Sequence, residues 1–328
     1  MTSAPVAVHY VESGVQKTVV VQMRLPTYFD GIAVSIAHEV LPCLPMPQIT
    51  PNSLRNAVRF GYHKARHAEA TIRSPRVMRK PVFDTRSWQA DNLAHLLLYL
   101  IPYSLYVRQA AGPEVDILFE KLGKRSHELL DIFGVAPVFE RRRVEADVVK
   151  ISGTRGLAVY DLDPRTTFDC PGICFVPKVY SGMDFSSSTK FERVFLARRD
   201  ARSLLNQAVV EETVARFGYR TVFMEDYSLR EQLSIGAQAK HVVAIHGAAM
   251  SFLIMGKRID SIVEFLPANN YAAGFPVALG SRVKHYEQII PKFDPIVQHI
   301  GWAAIASFKN LPFAVDTSLL AKVLSNIH

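Results

Sequence analysis

Residues 191–267 read FERVFLARRDARSLLNQAVVEETVARFGYRTVFMEDYSLREQLSIGAQAKHVVAIHGAAMSFLIMGKRIDSIVEFLP. Short apolar runs rich in β-branched residues alternate here with helical patterns. Residues 194–197, 219–224, 241–245 and 261–266 are strand candidates; 206–217, 228–239 and 247–255 are the helices between them. Gly218 stands where a helix ends, and Ser228 with Glu231 three residues on has the pattern of a capping box. This β-α-β-α-β-α-β order with short connections predicts an α/β fold with a parallel, doubly wound sheet. Right-handed crossovers then place helices on both faces.

Ligands of such a sheet bind outside the carboxyl ends of its strands. Arg198-Arg199-Asp200-Ala201-Arg202 follows the first strand, Glu225-Asp226 the second and His246-Gly247-Ala248-Ala249 the third. Glu264 lies within the fourth, with Pro267 after it. Arginine forks match phosphate oxygens. Gly247 and Ala248 permit a close backbone approach, and the N–H groups of a helix start favour an anion. Together these residues predict a nucleoside-diphosphate site, with Glu264 a candidate for the ribose hydroxyls. The plainer alternative makes Arg198, Arg199 and Arg202 surface ion-pair partners of Glu192 or Asp200. Four chemically suited strand ends favour the ligand site.

Toward the N-terminus the pattern is less regular. Residues 31–40 are predicted helical, 50–76 basic and partly helical, and 91–110 a long helix made irregular by Pro102. Residues 115–119 and 135–139 are predicted strands around a helix at 124–133, with further strand candidates at 148–151 and 157–160. This predicts a second α/β domain, 1–185, on the acceptor side, separated from a nucleotide-sugar-binding domain, 190–300, by the polar stretch GMDFSSSTK at 182–190. Residues 301–328 form a tail whose amphipathic helix, 317–327, is a candidate to pack back on the N-terminal domain.

The 328 residues carry a formal net charge of +8, with basic clusters at Arg73, Arg76, Arg79 and Lys80 and at Arg141, Arg142 and Arg143. Such clusters are solvated faces, or they meet an anionic membrane surface or the phosphates of a substrate. Nucleic acid is not expected, because no zinc finger, basic arm or RNP-type aromatic motif is present. Three cysteines, Cys43, Cys170 and Cys174, make neither a disulfide framework nor a zinc site. A reducing cytoplasm fits, with at most peripheral membrane contact: no signal-peptide pattern is visible, and the apolar stretch 94–107 is too short to span a bilayer.

The motifs in the quoted segment resemble glycosyltransferase family 61. That family includes bacterial capsular-polysaccharide enzymes and eukaryotic O-linked N-acetylglucosamine and xylose transferases. Its pattern of S-R-x-x-x-R, E-D-L-S-x-x-E-Q, H-G-A-G and I-E-L is matched by Arg198 with Arg202, Glu225-Asp226-Tyr227-Ser228 with Gln232, His246-Gly247-Ala248, and Val263-Glu264-Phe265. Upstream, Asn92-Leu93-Ala94-His95 with Leu96, Leu97 and Pro102 resembles the family's N-Y-Y-H-W-L-L-D-x-L-P. Ala249 replaces a usual Gly, and Tyr99 stands where an acidic residue is common.

The resemblance implies a GT-B enzyme with two Rossmann-like domains facing a cleft, a UDP-sugar donor, a glycan acceptor, inversion at the anomeric carbon, and no cofactor or obligatory metal. Asp161-Leu162-Asp163, followed by Pro164, is accordingly a turn and not a metal site. Arg198 and Arg202 are expected to hold the diphosphate. His246, Gly247 and Ala248 are expected beside the phosphates or sugar, Glu264 on the ribose, and Asn92 toward the donor. His95 is the expected general base, with Asp91 its substitute. The rival reading is a non-catalytic nucleotide- or glycan-binding α/β protein, with Tyr99 as its mark.

Overall fold

The structure, a computed structural model, describes residues 6–21, 34–42, 64–65, 68–86, 91–151, 180, 183–185, 190–199, 203–267, 274–279, 282–291 and 312–327. The chain divides into two compact units: Gly31–Gly153, and Met1–Asp30 together with Thr154–His328. It opens on a hairpin, β1 (Val6–Glu12) and β2 (Val15–Val21). The turn residues Ser13 and Gly14 have φ of 53° and 79°. Two left-handed residues in succession match the twist of the flanking strands.

Within Gly31–Gly153 lie β3 (Val34–Leu41), β4 (Arg76–Val77), β5 (Val82–Asp84), β6 (Asp116–Phe119), β7 (Pro137–Phe139) and β8 (Val144–Ile151). The sheet order is β3-β8-β5-β6-β7, with β4 also paired to β8. β5, β6 and β7 are parallel. β3 runs antiparallel to β8 from Val34 opposite Ile151 to Leu41 opposite Val144. The helix predicted over 31–40 is therefore a strand. Val34, Ile36 and Val40 recur at even spacing, the two-residue period of a strand, and pairing with β8 decides what so short a run leaves ambiguous.

A continuous helix, α1, follows β5: Leu93–His95 is α-helical, Leu96–Leu100 is a π turn, and Ile101–Ala111 is α-helical again. Pro102 has no N–H for the carbonyl four residues back, and the wide turn just before it absorbs the missing bond. α2 (Lys124–Ile132) then joins β6 to β7.

The other unit contains β9 (Arg193–Ala197), α3 (Gln207–Ala215), β10 (Arg220–Phe223), α4 (Leu229–Gln238), β11 (His241–Ile245), a 3-10 helix at Ala248–Met255, β12 (Ile259–Phe265), α5 (Gly274–Leu279), β13 (Val283–Ile289) and α6 (Thr317–Ile327). Its sheet has the order β10-β9-β11-β12-β13-β1-β2. Every pairing is parallel except β1 with β2. β9, β11 and β12 are buried almost without interruption, as strands covered on both faces must be. The capping box at Ser228 is formed.

Three expectations are corrected here. The N-terminal hairpin does not belong to a domain of residues 1–185, because main-chain pairing of β1 with β13 ties it to the second unit. α6 does not return to the N-terminal domain. Its Leu319, Leu320, Val323 and Leu324 share one core with Val210 and Val214 of α3 and with Phe195, Val243 and Val263 of the sheet. The segment after Gly247 is a 3-10 helix and not an α-helix. The predicted strand at 157–160, the string Asp161-Leu162-Asp163 and the three cysteines lie outside the described residues. Among the described residues no helix is long and apolar enough to cross a membrane.

α4 meets the 3-10 helix backbone to backbone at Gly236, where a Cβ would stand 2.0 Å from the Phe252 carbonyl oxygen. Alanine at position 236 must push the two segments apart. Gly236→Ala is expected to cost about 3 kcal/mol of stability. An unchanged urea midpoint would contradict that contact.

Candidate active site

In the second unit the chain passes from β9 outward to β10, then returns to the opposite side of β9 for β11 and continues through β12 and β13. The strand order thus reverses between β9 and β11, the position where open parallel sheets leave a crevice for ligands. Arg198 follows β9 and is half-buried; His246 follows β11 and is buried. The His246 N–H donates to the Phe265 carbonyl at 2.9 Å, so the ladder between β11 and β12 extends one residue and fixes the backbone beneath the ring.

The ring itself is held by Glu264. Nδ1 lies 2.5 Å from Oε1 of that residue, which has no exposed surface. Register explains the pairing. Ala244 stands opposite Glu264 on β11 and leaves room for the carboxyl group, while Gln288 stands opposite on β13 with Tyr286 two residues earlier on the same face. Gln288 Nε2 donates to Oε2 at 2.7 Å and the Tyr286 hydroxyl donates to it at 3.0 Å. Burial, then the adjacent Glu264 charge and hydrogen bond, raise the Tyr286 pKa well above the usual phenol value and keep that hydroxyl a donor. A carboxylate accepts only, so Nδ1 carries the hydrogen of that bond. Phe275 closes on the ring edge-to-face at 5.5 Å.

This geometry removes Glu264 from the ribose. Both its oxygens are engaged inside the protein, and it presents no surface to a ligand. It positions His246 instead. Gly247 is buried and Ala248 exposed at the start of the 3-10 helix, where the first amides have no acceptor within the helix. Arg199 is not aimed at a ligand site. It pairs with both carboxylate oxygens of Asp226, at 2.5 and 2.8 Å, and stacks over Phe223 at 3.8 Å. The hydrogen bond from Arg199 lowers the Asp226 pKa. Glu192, an arginine partner in the plainer alternative, pairs with Lys240. Arg202 lies outside the described residues.

Asp91, Asn92 and His95 belong to the other unit. Asn92 caps α1 by accepting from the Ala94 N–H at 2.9 Å. Asp91 Oδ1 accepts from the Gly123 N–H at 2.7 Å and from Ser126 Oγ at 2.8 Å, which caps α2. His95 is 5% exposed and meets the buried Tyr99 ring edge-to-face at 6.2 Å. Asp91 and Asn92 therefore have structural work in this unit, whereas His95 is enclosed beside Tyr99.

Sequence reading passed over two carboxylates at the ends of parallel strands in this unit. Glu120 follows β6; burial and the charge of Asp91 raise its pKa, against the opposing effect of Arg141. Glu140 follows β7 and is buried. Burial alone would push its carboxyl up, but hydrogen bonds from the Arg142 side chain and backbone and from Arg76 bring it down to about 2. The strand-end rule, applied to the first half as it was to the second, would have found both.

The Glu140 pairing has a pH signature. A carboxyl depressed in the folded state adds stability that is present above its ordinary pKa, near 4.5, and is lost as pH falls toward 2. With its arginine partners part-exposed, the contribution is about 2 kcal/mol. Glu140→Gln is therefore expected to be less stable than the parent by that amount at pH 6. The two should converge as pH falls from about 4.5 toward 2. An equal gap at both ends of that range in denaturant titrations would contradict this.

The fold is α/β, with polar residues gathered at the switch point of its parallel sheet. The family model described as Glycosyltransferase 61 matches residues 38–263, more than half of the chain, and the chain belongs to that family: it is a glycosyltransferase. The match begins inside β3 and ends at Val263, one residue before Glu264. Among curated proteins none matches the chain.

Proposed function

We propose that the chain is an inverting transferase of the GT-B type that moves a sugar from a UDP-sugar to a glycan acceptor without a metal ion. The observation that carries the reading is the buried His246–Glu264 pair at the switch point, with Arg198 on the neighbouring strand end. In this reading the acceptor hydroxyl attacks the anomeric carbon, the bond from that carbon to the diphosphate oxygen breaks, and UDP departs. Arg198, Arg202 and the first amides of the 3-10 helix hold the diphosphate. The His246 ring donates to the leaving oxygen, and Glu264 holds that ring from behind. His95 takes the acceptor proton.

Arginines neutralise the leaving group in this reading, so EDTA is expected to leave transfer largely intact. Loss of activity with EDTA and recovery with Mn²⁺ would sink the metal-independent mechanism. A single displacement also requires a product of opposite anomeric configuration to the donor, read from the product's NMR coupling constants. A retained configuration would overturn it.

A further inference from the structure

The Gly31–Gly153 unit holds a cleft of about 530 Å³, lined by Glu69, Ala70, Arg73, Lys121, Phe139, Glu140, Arg141 and Arg142. Its volume is that of a small-molecule site. It sits where β6 and β7 end, so Lys121 and Arg141 reach it from the carboxyl ends of two adjacent parallel strands. Four cations line it against two carboxylates, and the carboxylates are already committed. Glu69 pairs with Arg73 at 2.5 Å. Glu140, 7% exposed, accepts from Arg76, from the Arg142 side chain, and from the backbone N–H groups of Arg141 and Arg142.

Glu140 therefore works as a brace. It holds the turn after β7 and fixes the backbone from which Arg141 projects. Among the described residues no ion pair engages Lys121 or Arg141. Phe139, 40% exposed, adds an apolar wall backed by His127 at 4.9 Å. Two cations with no ion pair among the described residues, beside an exposed aromatic ring, suit a ligand with a compact anionic end and a less polar body.

We propose that this cleft binds a phosphoryl group carried by the acceptor, with Lys121 and Arg141 as its ligating cations. The proposal rests on the assignment of the acceptor to this unit, and it is independent of the nucleotide assignment to the other. The phosphoryl group is either on a soluble sugar phosphate or in a lipid headgroup.

The test measures α-glucose 1-phosphate binding by calorimetry and flotation with phosphatidylcholine vesicles containing phosphatidic acid. The proteins compared are the full chain, Lys121→Gln/Arg141→Gln and Arg198→Ala. The parent is expected to bind at least one probe. The double variant, with an unchanged melting midpoint, should bind it on the order of 10- to 100-fold more weakly, while Arg198→Ala binds as the parent does. Loss of the sugar phosphate supports the cleft with a soluble source, and loss of vesicles alone supports it with a lipid source. Parent-like binding by the double variant overturns the proposal, as does a parent that binds neither probe. Binding lost only in Arg198→Ala reports the donor site and overturns it too.

Discussion

Alanine in place of His246 is expected to lower the rate of sugar transfer by about 10²–10³-fold, the usual cost of losing one preorganised donor to a developing oxyanion. UDP affinity should fall far less, because the donor matters most once charge has built on the leaving oxygen. Glu264→Gln separates position from chemistry. It keeps the volume but sets an amide against Gln288 Nε2, the Tyr286 hydroxyl and His246 Nδ1, groups that all donate to the native carboxylate. That change is expected to reduce turnover while leaving the arginine contacts in place. Near-parental turnover in His246→Ala, measured with a radiolabelled donor, would remove the imidazole from the mechanism.

His95→Ala is expected to retain UDP binding and lose transfer by about 10²–10⁴-fold, the range for loss of a general base. His95 is nearly enclosed and sits in the first turn of α1. Tyr99 meets its ring edge-to-face at 6.2 Å. A folded His95→Ala protein with near-normal turnover would transfer the role to Glu120. That carboxyl already has a raised pKa and lies at a strand end.

The sequence made the parallel part of the second unit legible because its strands are short, continuous apolar runs separated by caps and glycines. β9 to β12 fall within a residue or two of expectation at every end. The sheet's other half was not read. β1, β2 and β13 are brought together by pairing across more than 260 residues, which no local pattern records. A local clue to the hairpin was present in Ser13-Gly14, a turn pair between alternating runs.

The same distance effect governs Glu264. A carboxylate in a strand reads as a ligand contact until the register puts Gln288 opposite it and Tyr286 beside that position. His246 was legible as a site residue, but what holds it was not. Arg199 shows the reverse. Its place in an arginine-rich strand end suggested phosphate, yet Asp226, 27 residues on, takes both arms of its guanidinium. Burial and partners at long range, more than residue type, separate the binding groups from the braces.

The most direct measurement is a UDP titration of ¹⁵N-labelled protein that follows the imidazole nitrogens of His246. The expected result is saturable movement of the Nε2 resonance, with Nδ1 remaining protonated against Glu264 throughout. UDP binding that leaves both His246 nitrogens unmoved, or no UDP binding at all, would contradict a diphosphate site at the junction of β9 and β11.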